Sequence, residues 1–394
     1  MKKVVLAFSG GLDTSYCAIH LAKDLGYEVF SAAVNTGGFN ETEQRELEKK
    51  AVDLGIKNHI CLDVEQQFYD EGIKYLIFGN VLKNHTYPLS VSAERVFQAM
   101  AIANYANEVG ADAIAHGSTG AGNDQVRFDL VFNVIAPELK IITPIRDQKL
   151  SREEEVAYLK KHGIEKDWAK AKYSINQGLW GTSVGGAETL TSHQTLPEAA
   201  WPVQIENLDS KIIEIGFELG EPISINGEKN DPVSIIQKLN VLAAPFGIGR
   251  DIHVGDTIIG IKGRVGFEAA APLILIESHR LLEKHVLGKW QLYWKDQLGD
   301  FYGMLMHEGQ FLDPVMRDIE SFLAHTQERV NGKVIVKLER KRFELQGIES
   351  ENDLMKSKFG QYGEMNQGWS GEDVKGFTKI LSNATLIQRG IQND

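Results

Sequence analysis

Cysteine is nearly absent from this chain: two in 394 residues, Cys17 and Cys61, far apart. No disulfide framework, no redox Cys-x-x-Cys pair and no metal-ligand spacing is therefore expected, which fits a reducing, cytoplasmic compartment. Long hydrophobic runs are missing as well. The apolar stretch Val4–Phe8 is cut by Gly10, Gly11 and Asp13, too early for a secretory leader. No run approaches the roughly 20 apolar residues of a membrane-spanning helix, so no membrane partner is expected. Acids outnumber bases, 54 Asp and Glu against 42 Lys and Arg, for a formal net charge of −12, and the densest basic run is ERKRFE at 339–344. A general nucleic-acid binder displaces counterions with a positive surface, so no nucleic-acid partner is expected either. Two phosphate motifs are also absent. Without GxxxxGK[ST] there is no P-loop lysine, and without GxGxxG there is no dinucleotide fingerprint.

What remains is an ordinary globular composition, 43% hydrophobic and 24% charged, long enough for two or three domains of about 150 residues each. Strand and helix patterns alternate from the start. Strands are expected at 4–8, 28–34, 58–62, 112–117 and 139–145, with helices at 13–25, 41–54, 64–83 and 90–109 between them. Such alternation implies right-handed crossovers and a doubly wound parallel sheet, whose ligands sit at the carboxyl ends of the strands. The texture then changes. Residues 165–205 are rich in Gly, Ser, Thr and Asn and read as a loop or junction. An α+β region follows, with hairpins at 211–227 and 333–347, helices at 232–243, 270–286, 288–308 and 313–329, and a strand near 257–262. A terminal helix is expected at 371–391, docked either on a partner subunit or on its own chain. The expected architecture is thus α/β. A nucleotide-binding domain covers 1–165 and an α+β substrate domain 166–350, with a C-terminal segment at 351–394.

Ser9-Gly10-Gly11-Leu12-Asp13-Thr14-Ser15 lies where the first strand becomes a helix. Two glycines let the backbone turn and approach an anion without a Cβ in the way. The free N–H groups of the first helical turn then face that anion, and the helix dipole favours negative charge there. Ser9, Thr14 and Ser15 add hydroxyl donors, while Asp13 can cap the helix or help hold a magnesium ion. A second glycine-rich segment, HGSTGAGNDQVRFD at 116–129, follows the fourth strand and belongs at the same edge.

SGGLDTS resembles the pyrophosphate loop of the ATP pyrophosphatases, which cleave ATP between its α- and β-phosphates. The second segment resembles the signature loop of the argininosuccinate synthase family. Further matches run in order through YPLSVSAERV at 87–96, YSINQGLWGTS at 173–183, LNVLAAPFGIGRD at 239–251 and TQERVNGKV at 326–334. The resemblance implies adenylation of citrulline's ureido oxygen, release of pyrophosphate, displacement of AMP by the aspartate amine, magnesium accompanying ATP, and a homotetramer. It implies that Ala7, Phe8, Ser9, Gly10, Gly11, Leu12, Asp13, Thr14, Ser15, Val34 and Gly117 surround ATP. Thr119, Asn123 and Asp124 would hold aspartate. Tyr87, Ser92, Asn123, Arg127, Ser174, Ser183, Gly255 and Phe267 would line the citrulline pocket. Asp13, Asp124 and Arg127 are the candidate catalytic residues, Arg127 suiting a carboxylate through its guanidinium fork.

The sequence departs from the family's pattern at four positions. Ala121 stands for a lysine, Gly255 for a glutamate that meets the citrulline amino group, Phe267 for a tyrosine and Thr257 for an arginine. A buried charge left without its partner costs about 3–5 kcal/mol. One alternative is therefore an N-acylated citrulline, whose acyl group removes the charge and would occupy room left by Gly255. Two rivals from other classes are a tRNA-modifying pyrophosphatase, which would show a basic surface, and a nucleotide-binding module without catalysis.

Overall fold

Five short strands alternate with helices along the first part of the chain, and their order in space fixes where a ligand can sit. In the computed structural model, which describes residues 2–391 except 167, 169–171, 361 and 365–367, these strands are β1 (Lys3–Ala7), β2 (Glu28–Asn35), β3 (Asn58–Asp63), β4 (Ala113–Ala115) and β5 (Lys140–Ile142). They form one parallel sheet in the order β3-β2-β1-β4-β5. The chain builds outward from β1 on one side through β2 and β3, then crosses back to place β4 on the other. Strand order thus reverses between β1 and β4, with Val4 opposite Ala113 and Leu6 opposite Ala115. That reversal opens a crevice at the carboxyl edge. The strand residues Val4, Val5, Leu6, Ala113, Ile114 and Ala115 are all fully buried, as a sheet covered by helices on both faces requires.

The single helix expected over 64–83 is broken. Helices Glu65–Phe68 and Lys74–Phe78 flank a π-helical turn, Tyr69–Ile73. Tyr69 is buried there and its hydroxyl donates to Glu221 at 2.9 Å, a long-range contact that local periodicity does not encode.

Two antiparallel sheets follow. One contains β8 (Lys211–Glu218), β9 (Glu221–Ile225), β10 (Glu228–Lys229), β13 (Gly332–Glu339) and β14 (Arg342–Glu349), in the order β10-β9-β8-β13-β14. The other contains β6 (Ser174–Gly178), β7 (Gly181–Gly185), β11 (Arg250–Asp256) and β12 (Lys262–Glu268), in the order β11-β12-β7-β6. Two expectations are corrected here. The region read as loop contains the β6–β7 hairpin, whose polar edge strand carries no apolar alternation and is held by pairing. The strand expected near 257–262 is instead the turn joining β11 to β12. Thr257 closes it: its N–H donates to the Ile261 carbonyl at 2.8 Å, and its hydroxyl accepts from the Ile261 N–H at 2.9 Å. The expected helices appear at Pro232–Ala243, Ala270–Val286, Lys289–His307 and Pro314–Thr326. The terminal helix is two, Gly371–Leu381 and Asn383–Ile391, divided at Ser382.

A buried ion pair ties these helices to the first part of the chain. Lys295 Nζ lies 2.8 Å from a Glu283 carboxylate oxygen, and both side chains are fully buried. Lys295 also donates to the Phe78 carbonyl at 2.6 Å, while Asn80 and Gln327 donate to Glu283 at 2.6 and 2.9 Å. Removing one member strands the other charge, at about 3–5 kcal/mol. Lys295→Met should therefore lower the melting temperature sharply, and adding Glu283→Gln should recover part of the loss. An unchanged melting curve for Lys295→Met contradicts this role.

Candidate active site at the carboxyl edge of the parallel sheet

The first loop is shaped by backbone. Gly10 takes φ +68°, a left-handed conformation that glycine adopts without penalty. Gly11 is the extended N-cap of helix Leu12–Lys23, and no side chain caps that helix. The first-turn N–H groups are therefore not satisfied by a cap, and Asp13 sits in the first turn rather than acting as one. Ser15 Oγ donates to the Gly11 carbonyl at 2.7 Å, and Ser9 and Thr14 hydroxyls lie 3.2 Å apart. Ala7 pairs with Ala32, and Phe8 N–H donates to the Ala32 carbonyl at 2.9 Å. Val34 is therefore at the same edge, two residues further along β2. Glu155, from the first turn of helix Arg152–Lys161, is buried beside Asp13. Burial, then the Asp13 charge, push its carboxyl up to about 8, and its Oε2 has no hydrogen-bond partner.

The second loop meets the first. A Cβ built on Gly117 would lie 3.3 Å from Asp13 Cβ and Thr14 Cγ2, so this glycine permits main chain to pack directly on the first loop. His116 anchors the start. It accepts from Ser118 N–H at Nδ1 (3.2 Å), so its Nε2 carries the proton toward Asp129 at 2.8 Å, and Asp129 also pairs with Arg146 at 2.7 Å. Gln125 folds back to the carbonyls of Gly120 and Gly122 at 2.7 and 3.1 Å. Thr119 and Ala121 are exposed within the loop so held.

Asp124 opens helix Asp124–Ile135 and is the centre of a charge network. It lies 2.7 Å from Arg127 Nη1 and 3.3 Å from Arg95 Nε. Burial pushes its carboxyl up, but Arg95 and Arg127 outweigh this and hold it below the ordinary range. Its side chain keeps 42% of its exposure, so a ligand can reach it. Arg127 is buried, with Nε donating to the His307 carbonyl at 2.8 Å. Arg95 also pairs with Glu94 at 2.9 Å and donates to Asn176 at 3.2 Å. Glu94 accepts from Thr36, beyond β2, at 3.0 Å.

The expected citrulline residues share one face of the four-stranded sheet. In antiparallel pairing, opposed residues point the same way, and the face alternates along each strand. Ser174 opposes Gly185 and Asn176 opposes Ser183. Ser183 opposes Phe267, Phe267 opposes Asp251, and Gly255 lies four residues along from Asp251 on β11. Ser174, Asn176, Ser183, Phe267, His253 and Gly255 therefore lie on a common face. Tyr87 covers it, its ring 5.3 Å from Phe267 and stacked on His253 at 4.9 Å. Its hydroxyl accepts from Ser90 Oγ and Val91 N–H, both at 3.3 Å. Ser92 Oγ is buried nearby in sequence and unpartnered. Asn123 links the regions, accepting from Ile258 N–H of the β11–β12 turn at 2.9 Å.

Gly255 does not border open space. A Cβ on Gly255 would lie 2.6 Å from His253 Nε2 and 3.2 Å from Asn84 Nδ2, so the imidazole occupies the space directly beside it. The adjacent acid, Asp256, is already paired with Lys262 at 2.7 Å. Burial, then the Lys83 charge, push His253 down to about 4, and its buried Nδ1 is unpartnered. The same kind of burial, reinforced by Arg127, holds His307 far below its ordinary range.

Sequence reading missed Glu94, Arg95, Asp129, Glu155, His253 and His307. Glu94 and Arg95 stand inside YPLSVSAERV, where a charged pair in an apolar stretch is a usable signal. The histidines carry no local signal, since the sheet register and tertiary packing bring them in.

These features define an α/β fold with two glycine loops that meet at the strand-order reversal of its parallel sheet. Residues 3–165 match the family model "Arginosuccinate synthase N-terminal HUP domain", and residues 173–387 match "Arginosuccinate synthase C-terminal domain". Similar proteins include the argininosuccinate synthase of Methanocaldococcus jannaschii, 42% identical over 85% of each chain. That of Dictyoglomus thermophilum is 37% identical over 100% of this chain and 99% of its own, and that of Pyrococcus furiosus 35% over 98% and 94%. The chain belongs to the argininosuccinate synthase family.

Glu94 generates a pH prediction. Burial pushes it up from 4.5 to about 7, against the opposing pull of Arg95 and Thr36. The fold thus favours the protonated acid. That contribution is complete below the unfolded value and is lost as pH rises through about 7, a difference of about 3 kcal/mol. Urea unfolding followed from pH 5 to 8 should show stability falling less steeply in Glu94→Gln than in the parent. Identical pH slopes contradict the assignment.

Proposed function

We propose that this chain joins citrulline to aspartate at the cost of ATP, forming argininosuccinate, AMP and pyrophosphate. The observation that carries the reading is the meeting of the two glycine loops, Gly117 against Asp13 and Thr14, at the strand-order reversal of a chain in this family. Residues Ala7 to Ser15, Val34 and Gly117 surround ATP, with its β,γ-phosphates on the first-turn N–H groups. Thr119, Asn123 and Asp124 take aspartate. Tyr87, Ser92, Asn123, Arg127, Ser174, Ser183, Gly255 and Phe267 take citrulline.

The chemistry then needs positioning more than proton transfer. The ureido oxygen of citrulline attacks the α-phosphorus. The bond to the bridging oxygen breaks, and pyrophosphate leaves with the electron pair. The aspartate amine adds to the activated carbon, loses a proton, and AMP departs. Asp124, kept ionised by Arg95 and Arg127, faces the aspartate ammonium during binding. Asp13, in the first helical turn beside the phosphate site, is the residue that would hold a magnesium ion accompanying ATP, and the ion would neutralise phosphate charge.

The proposal includes the domain division at 165 and 350, a cytosolic location, which suits two unpaired cysteines, and a homotetramer. The terminal helices leave Val374, Phe377, Ile380, Leu381, Leu386, Ile387 and Ile391 exposed, an apolar face that further copies of the chain would cover. Among the described residues, no helix is long and apolar enough to cross a membrane.

With MgATP and aspartate, pyrophosphate should be released on adding citrulline, at higher kcat/KM than with N-acetyl- or N-succinylcitrulline. Preference for an acylated substrate, or ATP binding without release, contradicts the reading. Asp124→Asn should lower kcat/KM for aspartate by about tenfold or more, the roughly 1.5–3 kcal/mol of a hydrogen bond to a charged group. Sedimentation should show four chains per assembly in the parent and fewer once the chain beyond residue 368 is removed; any other number in the parent contradicts the tetramer, and four chains in the truncated form contradicts the role of the helices.

A further inference from the structure

The phosphate loops carry no cation of their own. Neither SGGLDTS at 9–15 nor GSTGAGND at 117–124 contains lysine or arginine, and Arg127 just beyond is turned inward to Asp124 and His307. A leaving pyrophosphate carries several negative charges, more than backbone dipoles and hydroxyls alone neutralise well.

The structure brings a cation onto Gly10 of the first loop from elsewhere. Helix Glu41–Asp53 is fixed at its start by a reciprocal cap between Asn40 and Glu43. Its buried face, Leu47 and Ala51, packs inward, and Lys50 lies on the same side. A Cβ built on Gly10 would lie 2.9 Å from Lys50 Cδ, 3.0 Å from Leu47 Cδ2 and 3.7 Å from Lys50 Nζ. The lysine stem therefore rests on the bare face of Gly10, with its ammonium at the loop. Among the described residues, Lys50 is half-buried and makes no ion pair or side-chain hydrogen bond. Arg146, which borders the second loop at Gly120, is already paired with Asp129 and Asp147.

We infer that Lys50 is a pyrophosphate-binding residue of the ATP site, an inference that rests on the ATP reading above. It holds the β,γ-phosphates while the ureido oxygen bonds to the α-phosphorus, and it stabilises the pyrophosphate that leaves. It acts as a charge and transfers no proton. Helix Glu41–Asp53 thereby closes the side of the loop that the second glycine segment leaves open.

The test uses direct binding to the full chain with pyrophosphate and AMP as separate probes, alongside steady-state kinetics. Lys50→Met keeps the stem over Gly10 and removes only the charge. It should weaken pyrophosphate binding at least tenfold, leave AMP binding unchanged, and raise the KM for ATP while leaving the KM for citrulline unmoved. Lys50→Arg should restore most of the loss. Parent-like pyrophosphate binding in Lys50→Met overturns the inference, as does an equal loss of AMP binding, which would mark a purely structural role. Failure of the parent chain to bind either probe overturns the ATP reading itself, and this inference with it.

Discussion

The parallel pairing of β1 with β4 is the constraint on which the rest depends. Val4 sits opposite Ala113 and Leu6 opposite Ala115, so the strands end level and release their loops at one place. Had β4 added beyond β3, the two glycine segments would lie on opposite margins of the sheet. Fully buried small and branched residues hold this centre, and glycine at 117 lets the second loop touch the first. The nucleotide reading follows from that contact more than from either motif taken alone.

A continuous line of polar and charged groups then joins the carboxyl edge of the parallel sheet to the four-stranded sheet. It runs from Thr36 through Glu94 and Arg95 to Asp124, Arg127 and His307. Each member is expensive to bury alone, and each is satisfied by the next. The network spans the parallel sheet, the β6–β7 hairpin through Asn176, and the helix ending at His307. A site built this way is positioned before substrate arrives. On the face shared by Ser174, Ser183 and Phe267, a stacked Tyr87 and His253 fill the region beside Gly255.

Much of this was legible in the sequence, for physical reasons. The alternation of apolar strands and amphipathic helices reports burial directly, so the parallel sheet and most helices could be read. The two glycine loops were readable because tight backbone approach to an anion demands glycine at fixed places. The β6–β7 hairpin was not readable, because an edge strand of sequence SINQG owes its conformation to its neighbour. The π turn at Tyr69–Ile73 depends on a partner over 150 residues away, Glu221. His253 and Glu155 reach the site through sheet register and helix packing, which no local pattern records. The reading of Gly255 as open space failed for the same reason. A missing Cβ records only that a neighbour can approach closely, and at Gly255 that neighbour is the His253 imidazole.

The central claim is that the crevice between the glycine loops directs the ureido oxygen onto the α-phosphorus of ATP. Citrulline labelled with oxygen-18 at the ureido oxygen tests this most directly. After turnover with MgATP and aspartate, the account predicts one labelled oxygen in AMP and none in pyrophosphate. Label in pyrophosphate, or AMP formed without label, would contradict it.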